Sequence, residues 1–209
     1  MVSVLMGRAI NYHLNRNELT EAQRQVAMFA EMIHTASLIH DDVIDQSDFR
    51  RGKPSVNVVY NHKKVSVALN RSAMLGGADD KLSEVAFEYG RNLGIAFQLV
   101  DDLLDFISSS DAMGKPTAAD LKLGLATAPV LFACEKFPEL NPMIMRRFQE
   151  PGDVEKAFEF VHKSQGLEQT KFLARKHCVE AVRLASGLAE SPYQKGLVVL
   201  TDLVLNRMK

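Results

Sequence analysis

The chain has 209 residues, a formal net charge of −1 and 24% charged residues. That length supports one sizeable core, and the balanced charge gives no general pull toward nucleic acid or an anionic membrane. Its two cysteines, Cys134 and Cys178, form no disulfide framework and fit a reducing compartment as small buried residues, and no apolar run is long enough to span a bilayer.

In chain order, residues 1–14 read as a short helix carrying Val4, Leu5, Ala9 and Ile10, followed by a turn at Asn15-Arg16-Asn17. The opening Met1–Met6 lacks the flanks of a signal or transit peptide, so no targeting segment is expected within these residues. Thr20-Glu21-Ala22-Gln23 has the form of a capping box, in which two side chains three residues apart each satisfy the other's backbone N–H. It opens a helix marked by Val26, Phe29, Ile33 and Ala36, with Met32 and Ile39 alongside. That helix runs into Ile39-His40-Asp41-Asp42-Val43-Ile44-Asp45. The polar, basic stretch 46–57, with Gly52 and Pro54, predicts a loop. Residues 61–78 predict a short helix and a turn.

Asp79 or Asp80 caps the next helix, whose apolar positions Leu82, Val85, Ala86, Tyr89, Leu93, Phe97 and Val100 lead to Gln98-Leu99-Val100-Asp101-Asp102-Leu103-Leu104-Asp105. Gly90 and Gly94 inside it each weaken the helix by about 1 kcal/mol, which argues for close approach of another backbone. Ser108 to Thr117 predicts a loop holding Gly114-Lys115-Pro116. Beyond it lie a helix start at Thr117-Ala118-Ala119-Asp120, a restart at Pro129, a helix from Asp153 to near Gly166, another over 167–189, and a last one opened by Ser191-Pro192. No strand pattern competes. The fold class is all-α, a helical bundle occupying 1–209 as a single domain.

Two D-D-x-x-D triplets organise this chain. Residues four apart share a helix face, so Asp41 pairs with Asp45 and Asp101 with Asp105, and like charges at that spacing repel. A single such triplet reads equally well as an exposed acidic helix end. Two of them, embedded in apolar helix and brought to one mouth of a bundle, read as carboxylates gathered around Mg2+, a hard cation that takes one or two carboxylates plus substrate phosphates. A diphosphate substrate fits, with Arg50, Arg51, Lys53 and Lys115 as its remaining partners unless they are plain surface charge. Metal-assisted departure of diphosphate from an apolar substrate is the chemistry these residues point to.

The motifs resemble those of the trans-polyprenyl diphosphate synthases, and in particular the long-chain mitochondrial branch that makes the ubiquinone side chain. The resemblance is carried by residues 31–45, by Arg50-Arg51-Gly52-Lys53-Pro54-Ser55, by residues 94–105, and by residues 114–127. It implies an isoprenoid-synthase-like bundle that condenses isopentenyl diphosphate with an allylic prenyl diphosphate. It also implies mitochondrial matrix location, no nucleic-acid partner and a homo- or hetero-oligomer with a second synthase subunit. Asp41, Asp45, Asp101 and Asp105 would bind Mg2+, with Asp42 and Asp102 assisting. Arg50, Lys115 and Gln98 would hold the allylic diphosphate, and His34 and Arg51 isopentenyl diphosphate. The small residues Ala36 and Ser37, one turn below Asp41, would leave the product tunnel open to long chains, although helix packing explains Ala36 equally well.

Three departures from the family pattern stand out. The chain starts after the family's Gly-Lys-x-x-Arg-Pro stretch. It lacks the segments expected between the triplets, so some core helices are missing around 64–78, and Leu125 stands where many relatives have lysine. Missing bundle walls should leave apolar faces exposed and the chain weak in catalysis by itself. Three alternatives are a His-Asp phosphohydrolase suggested by His40-Asp41, a terpene cyclase, and a non-catalytic shortened isoform that partners a full-length synthase. The first leaves the second triplet unexplained, and the second leaves no role for His34 and Arg51.

Overall fold

The computed structural model describes residues 1–44, 49–50, 53–54, 62–107 and 118–207, with side chains at 1–32, 69–107 and 118–207. It is helical throughout apart from one two-residue antiparallel ladder, β1 (Phe49–Arg50) with β2 (Lys53–Pro54), inside the stretch expected to be loop. The helices are α1 (Val2–His13), α2 (Glu21–Ile44), α3 (His62–Leu75), α4 (Asp80–Ile107), α5 (Ala119–Lys122), α6 (Ala128–Ala133), α7 (Leu140–Met145), α8 (Asp153–Lys163), α9 (Gly166–Ser186) and α10 (Pro192–Asn206).

The chain divides into two compact units, Met1–Ile95 with His177–Leu203, and Ala96–Lys176 with Val204–Lys209. In the first unit α1, α2 and α3 pack on one another. The capping box forms as spelled: the Thr20 N–H donates to Gln23 Oε1 at 2.9 Å and the Gln23 N–H to Thr20 Oγ1 at 3.2 Å. Gln23 does more than cap. It is buried, its carboxamide exchanges hydrogen bonds with Asn11, and its Nε2 donates to the Ser72 carbonyl at 3.0 Å, tying the three helices through one polar centre. α3 closes with a Schellman turn, Ala78 N–H to Ala73 O and Gly77 N–H to Met74 O, with Gly77 in the left-handed region at φ 80° where glycine carries no Cβ penalty.

α2 departs from the expected pattern. Gln23 is buried and Val26, Ala27 and Ala30 are half-buried at helical spacing, whereas Phe29 and Met32, assigned to the apolar face, are 58% and 63% exposed. α4 begins where expected, with Asp79 Oδ1 accepting from the Leu82 N–H at 2.7 Å. Its buried stripe runs Ala86, Tyr89, Leu93, Ala96, Val100, Leu103. Phe97, expected on that stripe, lies beside it and is half-exposed, because the helical spacing passes through the smaller Ala96.

The second unit is built around Phe106, Leu121, Val130, Leu140, Met143 and Val161, with Phe106 stacked on Phe158 at 5.8 Å. α8 stops at Lys163 rather than near Gly166, and Gly166 instead begins α9. A Cβ there would lie 2.4 Å from the Pro129 carbonyl oxygen, so this glycine serves a close backbone approach. The loop expected at 108–117 lies outside the described residues.

Candidate functional site

The described acids of both triplets fall at the C-terminal ends of their helices: Asp41 and Asp42 in the last turn of α2, and Asp101 to Asp105 over the last two turns of α4. Neither last turn contains a basic residue. A helix C-terminus carries partial negative charge, so acids gathered there are opposed by the dipole as well as by one another. Such a placement lowers stability unless a cation comes to it.

The second triplet's three acids have three different settings, all within the second unit. Asp101 is half-exposed and accepts from Arg207 Nη2 at 2.6 Å. Asp102 is buried and turned the other way, accepting from Gln98 Nε2 at 3.0 Å and from the Ala128 N–H at the start of α6 at 3.3 Å. Burial pushes the Asp102 carboxyl above the usual carboxylate range, the bonds from Gln98 and Ala128 pull it back, and the charge of Asp105 adds to the rise. Asp105 holds the start of α5. Its Oδ1 accepts from the Ala119 N–H at 2.9 Å and its Oδ2 from the Asp120 N–H at 3.1 Å, while its backbone carbonyl takes the Ala118 N–H at 3.3 Å. Ala118 has φ 36°, so consecutive N–H groups converge on Asp105 as they would on an anion in a backbone nest.

Carboxylate oxygens are the donors Mg2+ prefers. Asp101 already holds a cation, and Asp105 stands one turn away on the same helix face. Both residues therefore fit a metal site. Asp102, buried and aimed at Gln98 and α6, fits a positioning role. Among the described residues no three metal-capable side chains gather in one place.

Gln98, expected to contact diphosphate, is exposed and spends one amide N–H on Asp102. Asp41 and His34 lie on α2 and Arg50 on β1, with side chains outside the described residues; Asp45, Arg51 and Lys115 lie outside them altogether. Arg207 was missed in the sequence, where a basic residue ending a terminal helix carries no signal of its partner. No helix among the described residues is long and apolar enough to cross a membrane.

The family model for polyprenyl synthetases matches residues 1–70 and 64–161. All trans-polyprenyl-diphosphate synthase PDSS1 of Homo sapiens is 42% identical over 277 aligned residues, which take in 100% of this chain and 67% of that protein. A Neurospora crassa protein named as a probable mitochondrial hexaprenyl pyrophosphate synthase is 36% identical, over 92% of this chain and 59% of its own length. Among solved structures, the apo form of an Arabidopsis medium/long-chain prenyl pyrophosphate synthase superposes with a TM-score of 0.74 at 27% identity, covering 100% of this chain and 88% of that one.

Proposed function

The chain belongs to the polyprenyl synthetase family, and on that premise we propose that it is a mitochondrial prenyltransferase that extends an allylic diphosphate with isopentenyl diphosphate to a long all-trans chain for the ubiquinone side chain. The observation that carries this reading is the presence of both acid triplets, whose described acids end their helices in turns without a basic residue, in a chain similar to such a synthase over its whole length.

In this reading Asp41 and Asp45 from the first triplet and Asp101 and Asp105 from the second are the metal ligands. Mg2+ bound there would supply Lewis-acid stabilisation to the departing diphosphate oxygens. Arg50 and Lys115 hold the allylic diphosphate by charge, and Gln98 reaches it with its second amide N–H while the first stays on Asp102. His34 and Arg51 hold isopentenyl diphosphate so that its double bond meets the allylic carbon as the C–O bond breaks. The new C–C bond forms there, and loss of a proton restores the double bond. The small side chains of Ala36 and Ser37 would, by the family resemblance, suit a long product.

The reading includes an internal shortening. The family match comes in two stretches that meet at residues 64–70, and 209 residues here align over 277 positions with the human relative. The exposed Phe29 and Met32 on α2, together with Met74 and Leu75 on α3, agree with missing walls. The test is incorporation of radiolabelled isopentenyl diphosphate into farnesyl diphosphate by the purified chain with Mg2+. Slow, metal-dependent elongation is expected, increased by a full-length synthase subunit. Equal incorporation by a variant carrying both Asp101→Asn and Asp105→Asn would remove the basis for the proposal.

A further inference from the structure

Arg207 is the first residue beyond α10, and its side chain is held twice by α4. Its Nη2 lies 2.6 Å from Asp101 Oδ1, and its guanidinium carbon lies 4.5 Å from the centroid of the Phe97 ring. Phe97 and Asp101 are four apart, so α4 offers a flat ring and a carboxylate one turn from each other on the same face. That cradle suits arginine: a planar guanidinium stacks on a ring while its edge bonds a carboxylate, and a lysine ammonium cannot do both equally well. It also explains the half-exposed Phe97, whose face the cation covers.

We propose that Arg207 is a resident counter-cation of the second acid triplet, an autoinhibitory contact that a divalent metal must displace to reach Asp101. The proposal rests on the metal role assigned to Asp101 above. Without a cation, Asp101 and Asp105 would stand one turn apart at the negative end of α4, and Arg207 relieves that repulsion. A metal arriving at Asp101 competes with Arg207 for the same oxygen. Because both side chains are more than a third exposed, the contact is screened and readily opened. The device therefore sets how much metal is needed before the site forms, and it links the residue that follows α10 to metal occupancy.

The test titrates Mg2+ into the full chain without substrate, by calorimetry at fixed low ionic strength. An exposed ion pair with a ring contact makes the apparent affinity of Arg207→Gln roughly three- to ten-fold tighter than that of the unaltered chain. Arg207→Lys, which keeps charge but loses the fork, falls between them. Asp101→Asn weakens binding, and adding Arg207→Gln to it produces no further change. Phe97→Leu leaves the ion pair and removes only the ring, so it tightens binding by a smaller factor and serves if Arg207→Gln does not fold. Unchanged or weaker Mg2+ binding in Arg207→Gln or Phe97→Leu, with Asp101→Asn still weakened, overturns the counter-cation role and leaves the metal assignment standing. Unchanged binding in Asp101→Asn overturns both.

Discussion

Asp105→Ala separates what the second triplet does for the fold from what it does for the metal. The substitution removes two carboxylate acceptors, at 2.9 Å to the Ala119 N–H and 3.1 Å to the Asp120 N–H, at the start of α5. Hydrogen bonds to a charged group contribute about 1.5–3 kcal/mol each, and partial exposure puts these at the lower end. The expected loss is therefore about 3 kcal/mol. For a chain of this size each kcal/mol shifts Tm by roughly 2–4 °C, so Asp105→Ala should melt about 6–12 °C lower. The assay is thermal unfolding with EDTA present, so that no metal contributes. Asp105→Asn, which keeps one acceptor oxygen, should lose about half as much. Mg2+ should then raise the melting temperature of the unaltered chain and fail to raise that of either variant. An Asp105→Ala chain that melts within about 1 °C of the unaltered one in EDTA would refute the idea that this carboxylate holds α5.

Gln23→Ala should cost roughly 3–5 kcal/mol in urea unfolding, because it strands Asn11, the Ser72 carbonyl and the Thr20 N–H in or beside the first unit's core; a loss under about 1 kcal/mol would mean that water replaces it. Asp102 has a raised folded pKa, so its contribution is full below the unfolded value and is lost as pH rises through the folded one. The stability of Asp102→Asn relative to the unaltered chain should therefore improve from acid to neutral pH, and a trend in the opposite direction in urea midpoints would contradict the burial argument. Asp153 behaves in the opposite sense. Its hydrogen bonds from Arg146, at 2.7 and 2.8 Å, hold its carboxyl below the usual range, so its contribution is present above the unfolded pKa and is lost as pH falls through the folded one. Asp153→Asn should destabilise at neutral pH and converge with the unaltered chain in acid, and a gap that persists in acid would point to packing instead.

Local signals in the sequence carried as far as their own helix turns. The capping box at Thr20, the Asp79 cap, the Gly76-Gly77 turn and Ser191-Pro192 all formed, because each is satisfied by partners within a few residues. Non-local partners were not legible. Gln23 is spelled as a cap, yet most of its bonds reach residues 11 and 72, and nothing near it in sequence announces them. Phe97 was placed in the core on its hydrophobicity, whereas the burial stripe selects Ala96 and leaves the ring to Arg207. Gly166 read as a stop signal and proved to be a start, because its small size serves the Pro129 carbonyl rather than the chain direction. At the acid motif the sequence set Asp101 and Asp105 on one helix face and Asp102 apart as an assisting acid, but it did not show the partners that hold each of them. Their different settings arise because Asp102 lies about 100° around the helix from Asp101 and meets the core of the second unit.

Each acid of the second triplet is tied to a different part of that unit: Asp101 to Arg207 beyond α10, Asp102 to the first N–H of α6, and Asp105 to the start of α5. The motif is therefore a joint as well as a candidate metal site, and the two duties make opposite demands. A joint favours acids whose oxygens are fully engaged, whereas a metal site needs oxygens that can let go. Asp101 meets both demands by holding a screened, half-exposed cation, and Asp102 meets only the first because it is buried. Folding alone would keep Asp102 and Asp105 in place even in a chain that never turned over substrate. Loss of activity in an acid variant thus counts as loss of metal only when the metal-free chain still melts normally. Of the three, Asp101 is half-exposed and holds a screened cation, so its substitution should disturb the fold less than that of buried Asp102, and metal binding and turnover are best compared on it.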